Sequence, residues 1–389
     1  MGNSHDILKI CFVTTRYPVE GYPVNTFLEQ LVSAIAKMGI ECYVIAPYSR
    51  THDKFTGKKY FAKPISSRCY DGNNVKVFCP KMLTPTSKRI LGIPFSKIFL
   101  KEFQNKVEKT LKENQISPDV LYAHFIKPSG LAVADISRKY GVPSFVAYGE
   151  SSLDLISGFD KDFLEERLSN LSGVVAVSTK NKIDLSSSGM IEDSKIEVFP
   201  NAIDNTVFRK LDKHKVRKEL GFSQEDFIVA FTGHFINRKG SKRLSDALEQ
   251  LPGVKSIFIG SGAEPPTCEG VLFQGRLNHV DVCKYLNAAD VFVLPTLAEG
   301  CCNAIIEAMA CGLPIISSDL PFNDDILDDS CSIRINPENV TEIKKAILKV
   351  RENPDMRLEM SNAALVKAES LDINERAKRI VDFIRNRKK

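Results

Sequence analysis

Residues 290–318 read DVFVLPTLAEGCCNAIIEAMACGLPIISS. An apolar, β-branched run (DVFVLP, 290–295) is followed by a turn-forming stretch through Gly300. A helical pattern then occupies 303–311, and a second apolar run (LPIISS, 313–318) closes the segment. Short continuous apolar runs bounded by turn signals mark strands buried on both faces. A helix between two such strands is the usual parallel crossover. Moving outward, FIVAFTG (227–233), KSIFIG (255–260) and GVLFQG (270–275) add strands, and helical patterns at 241–250, 281–288 and 340–352 cover them. Upstream, LKICFVT (8–14), CYVIAP (42–47), VKVFCP (75–80), VLYAH (120–124), SFVAYG (144–149), GVVAVS (173–178) and IEVFP (196–200) form an earlier set, with helical patterns at 26–38 and 129–140. The rhythm breaks near 200–212, at Pro200, Asn201 and the charged run KLDKHKVRK. Two α/β domains in tandem, each a doubly wound parallel sheet with helices on both faces, are predicted.

The length agrees: 389 residues exceed what one hydrophobic core commonly holds. With 43% hydrophobic and 26% charged residues the composition is that of a globular protein rather than a disordered or fibrous one. The longest apolar runs fall far short of the ~20 residues that a membrane span needs. The first residues, MGNSHDILKICFV, lack the basic and apolar regions of a signal peptide, so a soluble chain is expected. Ten cysteines at irregular spacing, without a Cys-x-x-Cys pair, read as buried thiols in a reducing, cytoplasmic compartment. The net charge is +5, but residues 51–112 hold fourteen Lys+Arg against four Asp+Glu. That patch is either a solvated face or a contact for an anionic partner, a membrane surface or a phosphate-bearing substrate. It carries no interleaved aromatics, so nucleic acid is not expected.

Open α/β sheets bind ligands beyond the carboxyl ends of their strands. The loop after FIVAFTG reads Gly233-His234-Phe235-Ile236-Asn237-Arg238-Lys239-Gly240 and enters a helix. Its glycines allow close backbone approach, and the helix N-terminus with Lys239, Arg238 and His234 makes a phosphate cradle or, more plainly, a solvated basic turn. Gly260-Ser261-Gly262 reads as a tight turn, because Pro265 stands where a dinucleotide fingerprint has its third glycine. In the opening segment, Glu299 lies in the loop and Glu307 eight residues on, within an otherwise apolar helix. A carboxylate there needs a partner, since an unpaired buried charge is costly.

The run from Glu299-Gly300-Cys301-Cys302-Asn303 through Glu307 to Gly312-Leu313-Pro314 resembles the Glu-x7-Glu signature of family-4 retaining glycosyltransferases. These have the GT-B fold, two facing Rossmann-like domains with a cleft between them. The likeness extends to 8–47, to Tyr122–Leu131, to the linker-like Val198–Asp204 with Phe208, and to Gly233–Gly240. It implies an acceptor domain over 1–205, a donor domain over 206–371, and a C-terminal helix (372–389) packing back on the first.

The resemblance implies that Glu307 binds ribose hydroxyls, and that Glu299 with Gly300, Cys301, Cys302 and Asn303 holds the donor sugar. Lys239, aided by His234, then stabilises the leaving diphosphate, with Gly233, Arg238 and Gly260 bordering the donor. Gly21, Asn25, His124, Tyr148 and Glu150 fall on the acceptor and sugar side. Three departures stand out. His234 replaces an arginine fork, Tyr148-Gly149 replaces a His-Gly pair, and Gly21 alone represents the paired glycines of the first loop, as in branches acting in surface-polysaccharide assembly. A metal-independent transfer from a nucleoside-diphosphate sugar is implied, with no further cofactor and UDP favoured over GDP. The expected acceptor is a lipid-linked or growing surface glycan at the inner membrane face, approached through 86–112. The rival readings are a nucleotide-sugar epimerase of the same architecture and a non-catalytic nucleotide-binding relative.

Overall fold

The computed structural model describes residues 7–19, 24–49, 62–83, 89–90, 93–153 and 159–388. The chain divides into two units, residues 1–199 with 374–389 and residues 200–373.

In the first unit the strands of the main sheet are β1 (Lys9–Val13), β2 (Glu41–Ile45), β3 (Ile65–Tyr70), β4 (Asn73–Phe78), β5 (Val120–His124), β6 (Ser144–Tyr148), β7 (Gly173–Ala176) and β8 (Ile196–Val198). They lie in the order β8-β7-β6-β5-β1-β2-β4-β3. The helices are α1 (Thr26–Lys37), α2 (Ser96–Glu113), α3 (Leu131–Tyr140), α4 (Lys161–Leu168) and α5 (Thr179–Ser187). Leu28, Leu31, Val32 and Ile35 give α1 one buried face at helical spacing. The sheet is not wholly parallel as predicted: β3 runs antiparallel to β4 along the edge. Its residues ISSRCY alternate between exposed and half-buried, so no apolar run betrays it. An antiparallel edge strand on a parallel sheet is a common arrangement.

The second unit contains β9 (Phe227–Thr232), β10 (Val254–Ile259), β11 (Val271–Gly275), β12 (Val291–Leu294), β13 (Ile315–Ser318) and β14 (Ser332–Ile335), all parallel. Its helices are α6 (Lys213–Leu220), α7 (Ser241–Leu248), α8 (His279–Ala288), α9 (Asn303–Ala310), α10 (Val340–Glu352) and α11 (Pro354–Glu369). The order β11-β10-β9-β12-β13-β14 is the 3-2-1-4-5-6 winding of a Rossmann sheet. Phe231, Phe258 and Phe292 are fully buried, each contributing ~1.5–3 kcal/mol through removal from water. Arg217 of α6 is buried as well. Its guanidinium donates to the carbonyls of Ala288 (2.9 Å), Gln224 (2.9 Å) and Asp226 (3.0 Å) and to Asp290 Oδ2 (2.8 Å). Asp290 Oδ2 also accepts from the backbone N–H of Ile228 at 2.7 Å.

The last helix, α12 (Ile373–Arg387), belongs to the first unit, where the Phe383 ring lies 5.7 Å from Phe145 and 5.8 Å from Phe199. Among the described residues no helix is long and apolar enough to cross a membrane. The apolar residues of 86–112 do not form one exposed face. Leu100, Phe103 and Val107 of α2 are in the core and Phe99 packs against it, while Ile98 is exposed. Leu91 and the side chains of Ile90 and Ile93 lie outside the described residues.

Candidate active site

In the second unit the winding reverses between β9 and β12, so the loops after these two strands meet at the topological switch point, where such sheets bind ligands. The first loop is Gly233–Gly240, the second Pro295–Cys302. They are joined by backbone: Leu297 N–H donates to the Arg238 carbonyl at 2.8 Å, and Thr296 Oγ1 lies 3.1 Å from the same oxygen. Gly240 has φ +78°, and a Cβ there would lie 2.5 Å from the Pro295 carbonyl. Only glycine fits that turn.

A charge cluster occupies the junction. Glu299 Oε1 accepts from Lys239 Nζ at 2.5 Å, from Arg238 Nη1 at 3.1 Å and from Thr296 Oγ1 at 2.8 Å. Glu299 is buried, so two cations and a hydroxyl replace its lost hydration. Lys239 and Glu299, given separate tasks by the resemblance, are therefore bonded to each other. Thr296 is a site residue that the sequence reading missed. Its only signal is its place directly after a buried strand, in front of the acidic loop.

Gly260 and Gly262 take part differently from a simple turn. Gly260 has φ +152°, and a Cβ on it would stand 1.8 Å from the Gly233 carbonyl oxygen. A Cβ on Gly262 would stand 2.2 Å from the Phe235 carbonyl oxygen. The loop after β10 is thus pressed backbone to backbone against the basic loop, and Phe235 N–H donates to Ser261 O at 3.0 Å. Gly233 itself has the side chains of Phe231 and Lys239 beside it, and His234 is exposed. Helix α7 opens at Gly240 without a side-chain cap, which leaves its first N–H groups available to an anion.

Helix α9 carries Glu307 between buried Ile306 and Ala308. Glu307 is partly exposed and has no hydrogen-bond or ion-pair partner among the described residues. Even so, the surrounding protein and, to a lesser degree, the Cys283 thiol push its carboxyl up to about 7. The partner that the sequence asks for is not found among the described residues. Nearby, Asn303 Oδ1 is buried without a partner, and the Cys301 carbonyl accepts from Asn201 Nδ2 at 3.2 Å. Cys302 is buried, and burial pushes its thiol up to about 11.

In the first unit, His124 ends β5 and Tyr148 ends β6. His124 stacks near Phe27 and Phe125, with ring centroids 4.8 and 4.3 Å away. Both of its ring nitrogens are buried without partners among the described residues. Burial, helped by the Arg376 charge, lowers the imidazole to about 3 and keeps it neutral. Tyr148 is fully buried. Glu150 is committed to the backbone, accepting from the N–H groups of Ile126 and Gly149, each at 3.1 Å. Burial raises its carboxyl to about 7. Asn25 enters α1 in the left-handed region and donates to the Arg16 carbonyl at 2.9 Å. Gly21 lies outside the described residues.

Two family models match in tandem, "Glycosyltransferase Family 4" over residues 24–207 and "Glycosyl transferases group 1" over residues 212–366. The chain belongs to glycosyltransferase family 4. This glycosyltransferase is 26% identical over 351 residues to the putative teichuronic acid biosynthesis glycosyltransferase TuaC of Bacillus subtilis, spanning 87% of this chain and 88% of that one. Its fold is GT-B. The sucrose-phosphate synthase of Thermosynechococcus elongatus superposes with TM-score 0.77 at 17% identity, covering 97% and 98% of the two chains. Anabaena Alr3699/HepE, solved with UDP and glucose, gives 0.72 at 18% identity over 97% and 100%. The enzyme therefore transfers a sugar from a nucleotide sugar to an acceptor.

Proposed function

We propose that this glycosyltransferase uses a uridine-diphosphate sugar and transfers it, with retention at the anomeric carbon, to a hydroxyl of a growing surface glycan or lipid-linked sugar. The observation that carries the reading is the Lys239–Glu299–Arg238 cluster at the switch point, with the unpartnered Glu307 on the helix that follows. Glu307 accepts hydrogen bonds from the two ribose hydroxyls. The diphosphate lies against the uncapped start of α7 and draws Lys239 from Glu299 as charge develops. The bond from C1 to the phosphate oxygen breaks, and the acceptor hydroxyl attacks C1 from the same face. Its proton passes to the departing phosphate. Lys239, Arg238 and His234 meet the new negative charge, and removing one such donor typically costs ~10²–10³ in rate. The UDP complex of Alr3699/HepE and the surface-polymer role in the name of TuaC favour this donor and acceptor class.

The test is calorimetric titration with UDP and with GDP, on the wild type and Glu307→Ala. Binding of UDP alone, lost in the variant, is expected. GDP binding would overturn the choice of base, and equal binding by the variant would overturn the role of Glu307.

The exposed face of α2 carries Lys97, Lys101, Lys109 and Lys112. We take it as the contact with the anionic cytoplasmic leaflet, each lysine near the surface adding ~1 kcal/mol. Co-sedimentation with phosphatidylglycerol vesicles at low salt is expected; equal recovery with neutral vesicles would remove this contact.

A further inference from the structure

Outside the charge cluster, the second unit brings two thiols together. Cys283 lies in the middle of α8 and Cys311 directly follows α9, yet their Sγ atoms are 3.9 Å apart, Cys311 donating to Cys283. Cys283 Sγ donates to the Arg209 carbonyl at 3.6 Å and accepts from Asn287 Nδ2 at 3.5 Å. The bonds that its sulfur accepts, above all the one from Cys311, hold the Cys283 thiol below the ordinary range and so favour its thiolate. A cavity of about 300 Å³ reaches Cys311 from the surface, and Lys210, Lys213 and Arg357 line it. Buried thiols seldom react because nothing reaches them; here Cys311 lines a cavity bordered by three cations and Asp290, with Cys283 Sγ 3.9 Å from Cys311 Sγ.

We propose that Cys283 and Cys311 are a reversible oxidation site, closed to a disulfide by hydrogen peroxide or a related small peroxide. The Cys283 thiolate attacks the peroxide, forming an S–O bond as the O–O bond breaks and hydroxide leaves. Cys311 then attacks the sulfenic sulfur. The S–S bond forms, and the sulfenic oxygen leaves as water with the proton of the Cys311 thiol. Two thiols are oxidised and one peroxide is reduced to two waters. Joining the sulfurs closes their gap by about 2 Å, since a disulfide spans only ~2.05 Å.

Cys311 directly follows α9, so the movement is shared by α9. Glu307 sits one helical turn before Cys311, and its carboxyl already senses the Cys283 thiol. Oxidation therefore displaces the ribose-binding carboxylate and weakens donor binding, a consequence that rests on the role proposed for Glu307.

The purified protein is treated with a small excess of hydrogen peroxide, remaining thiols are blocked, and the intact mass and peptide map are read. A loss of two hydrogens, a cross-linked peptide joining Cys283 to Cys311, and reversal by dithiothreitol are expected. Cys283→Ser and Cys311→Ser each abolish the cross-link. Oxidation confined to the exposed Cys69, or over-oxidation of Cys283 without the cross-link, would overturn the site; the wild-type map decides this whether or not the variants fold. UDP titration before and after oxidation is expected to show affinity falling about fivefold or more, in the usual range of a coupling between sites. A disulfide with unchanged UDP affinity would overturn the coupling to Glu307. Failure of the donor-site reading would appear separately, as UDP binding by the reduced protein that survives Glu307→Ala.

Discussion

Gly260→Ala tests how the basic loop is held. The new Cβ would meet the Gly233 carbonyl oxygen at 1.8 Å, where contacts under 3.0 Å are essentially never seen. The loops after β9 and β10 must then part by more than 1 Å. The displaced segment leads directly to Arg238 and Lys239. A shift of that size removes at least one charge-assisted hydrogen bond to a diphosphate, ~1.5–3 kcal/mol. The expected loss of UDP affinity is about 10- to 100-fold. Gly221→Ala is the control. Gly221 has φ +72° with open space around it, so alanine costs about 1 kcal/mol of backbone strain and leaves binding unchanged. Calorimetry reads affinity and circular dichroism confirms that both variants are folded. A folded Gly260→Ala protein binding UDP within threefold of wild type would refute the claim that backbone contact positions the loop.

Arg217→Met leaves Asp290 buried without its main counter-charge and three carbonyls without their donor. It should destabilise the second unit by about 3–5 kcal/mol, measured by urea unfolding; a loss under about 1 kcal/mol would show that the network is dispensable. Glu307 ionises near 7, and its charged form is the better acceptor for hydroxyls. UDP affinity should therefore rise about tenfold from pH 6 to pH 8, and Glu307→Gln should lack that added slope relative to wild type. His124 is depressed to about 3, so the unfolded chain takes up its proton first as pH falls below ~6.5. Its contribution is intact above that pH and declines toward pH 3, removing up to about 3 kcal/mol by pH 4. His124→Phe should lack that share of the acid sensitivity in urea midpoints at pH 7 and 4.

The strands were legible where the chain is apolar on both faces. VLYAH coincides with β5 and VFVL with β12, because a parallel strand under two helix layers must be apolar throughout. Edges were not legible: β3 and β14 carry Ser and Arg and leave no continuous apolar run. At the site, the signature placed Glu299 and Glu307 on a loop and a helix, as found. The Lys239–Glu299 bond joins residues sixty positions apart and could come only from the winding of the sheet. Likewise, Cys283 and Cys311 belong to no spacing motif. Their meeting depends on how α8 and α9 lie on the sheet, which periodicity does not encode.

Because α12 packs with residues 1–199, the first unit is assembled from two stretches of chain with the whole second unit between them. Gly173 illustrates the dependence: a Cβ there would lie 2.8 Å from the Phe383 ring, so β7 is shaped around a residue made after the whole second unit. During synthesis from the N-terminus, residues 200–373 can complete their sheet while the preceding unit waits for its final helix. A released chain that stopped just before residue 374 would have a complete second unit and a first unit whose Phe145 and Phe199 lack their cover. A stop codon just before residue 374 would therefore do its damage in the unit translated first.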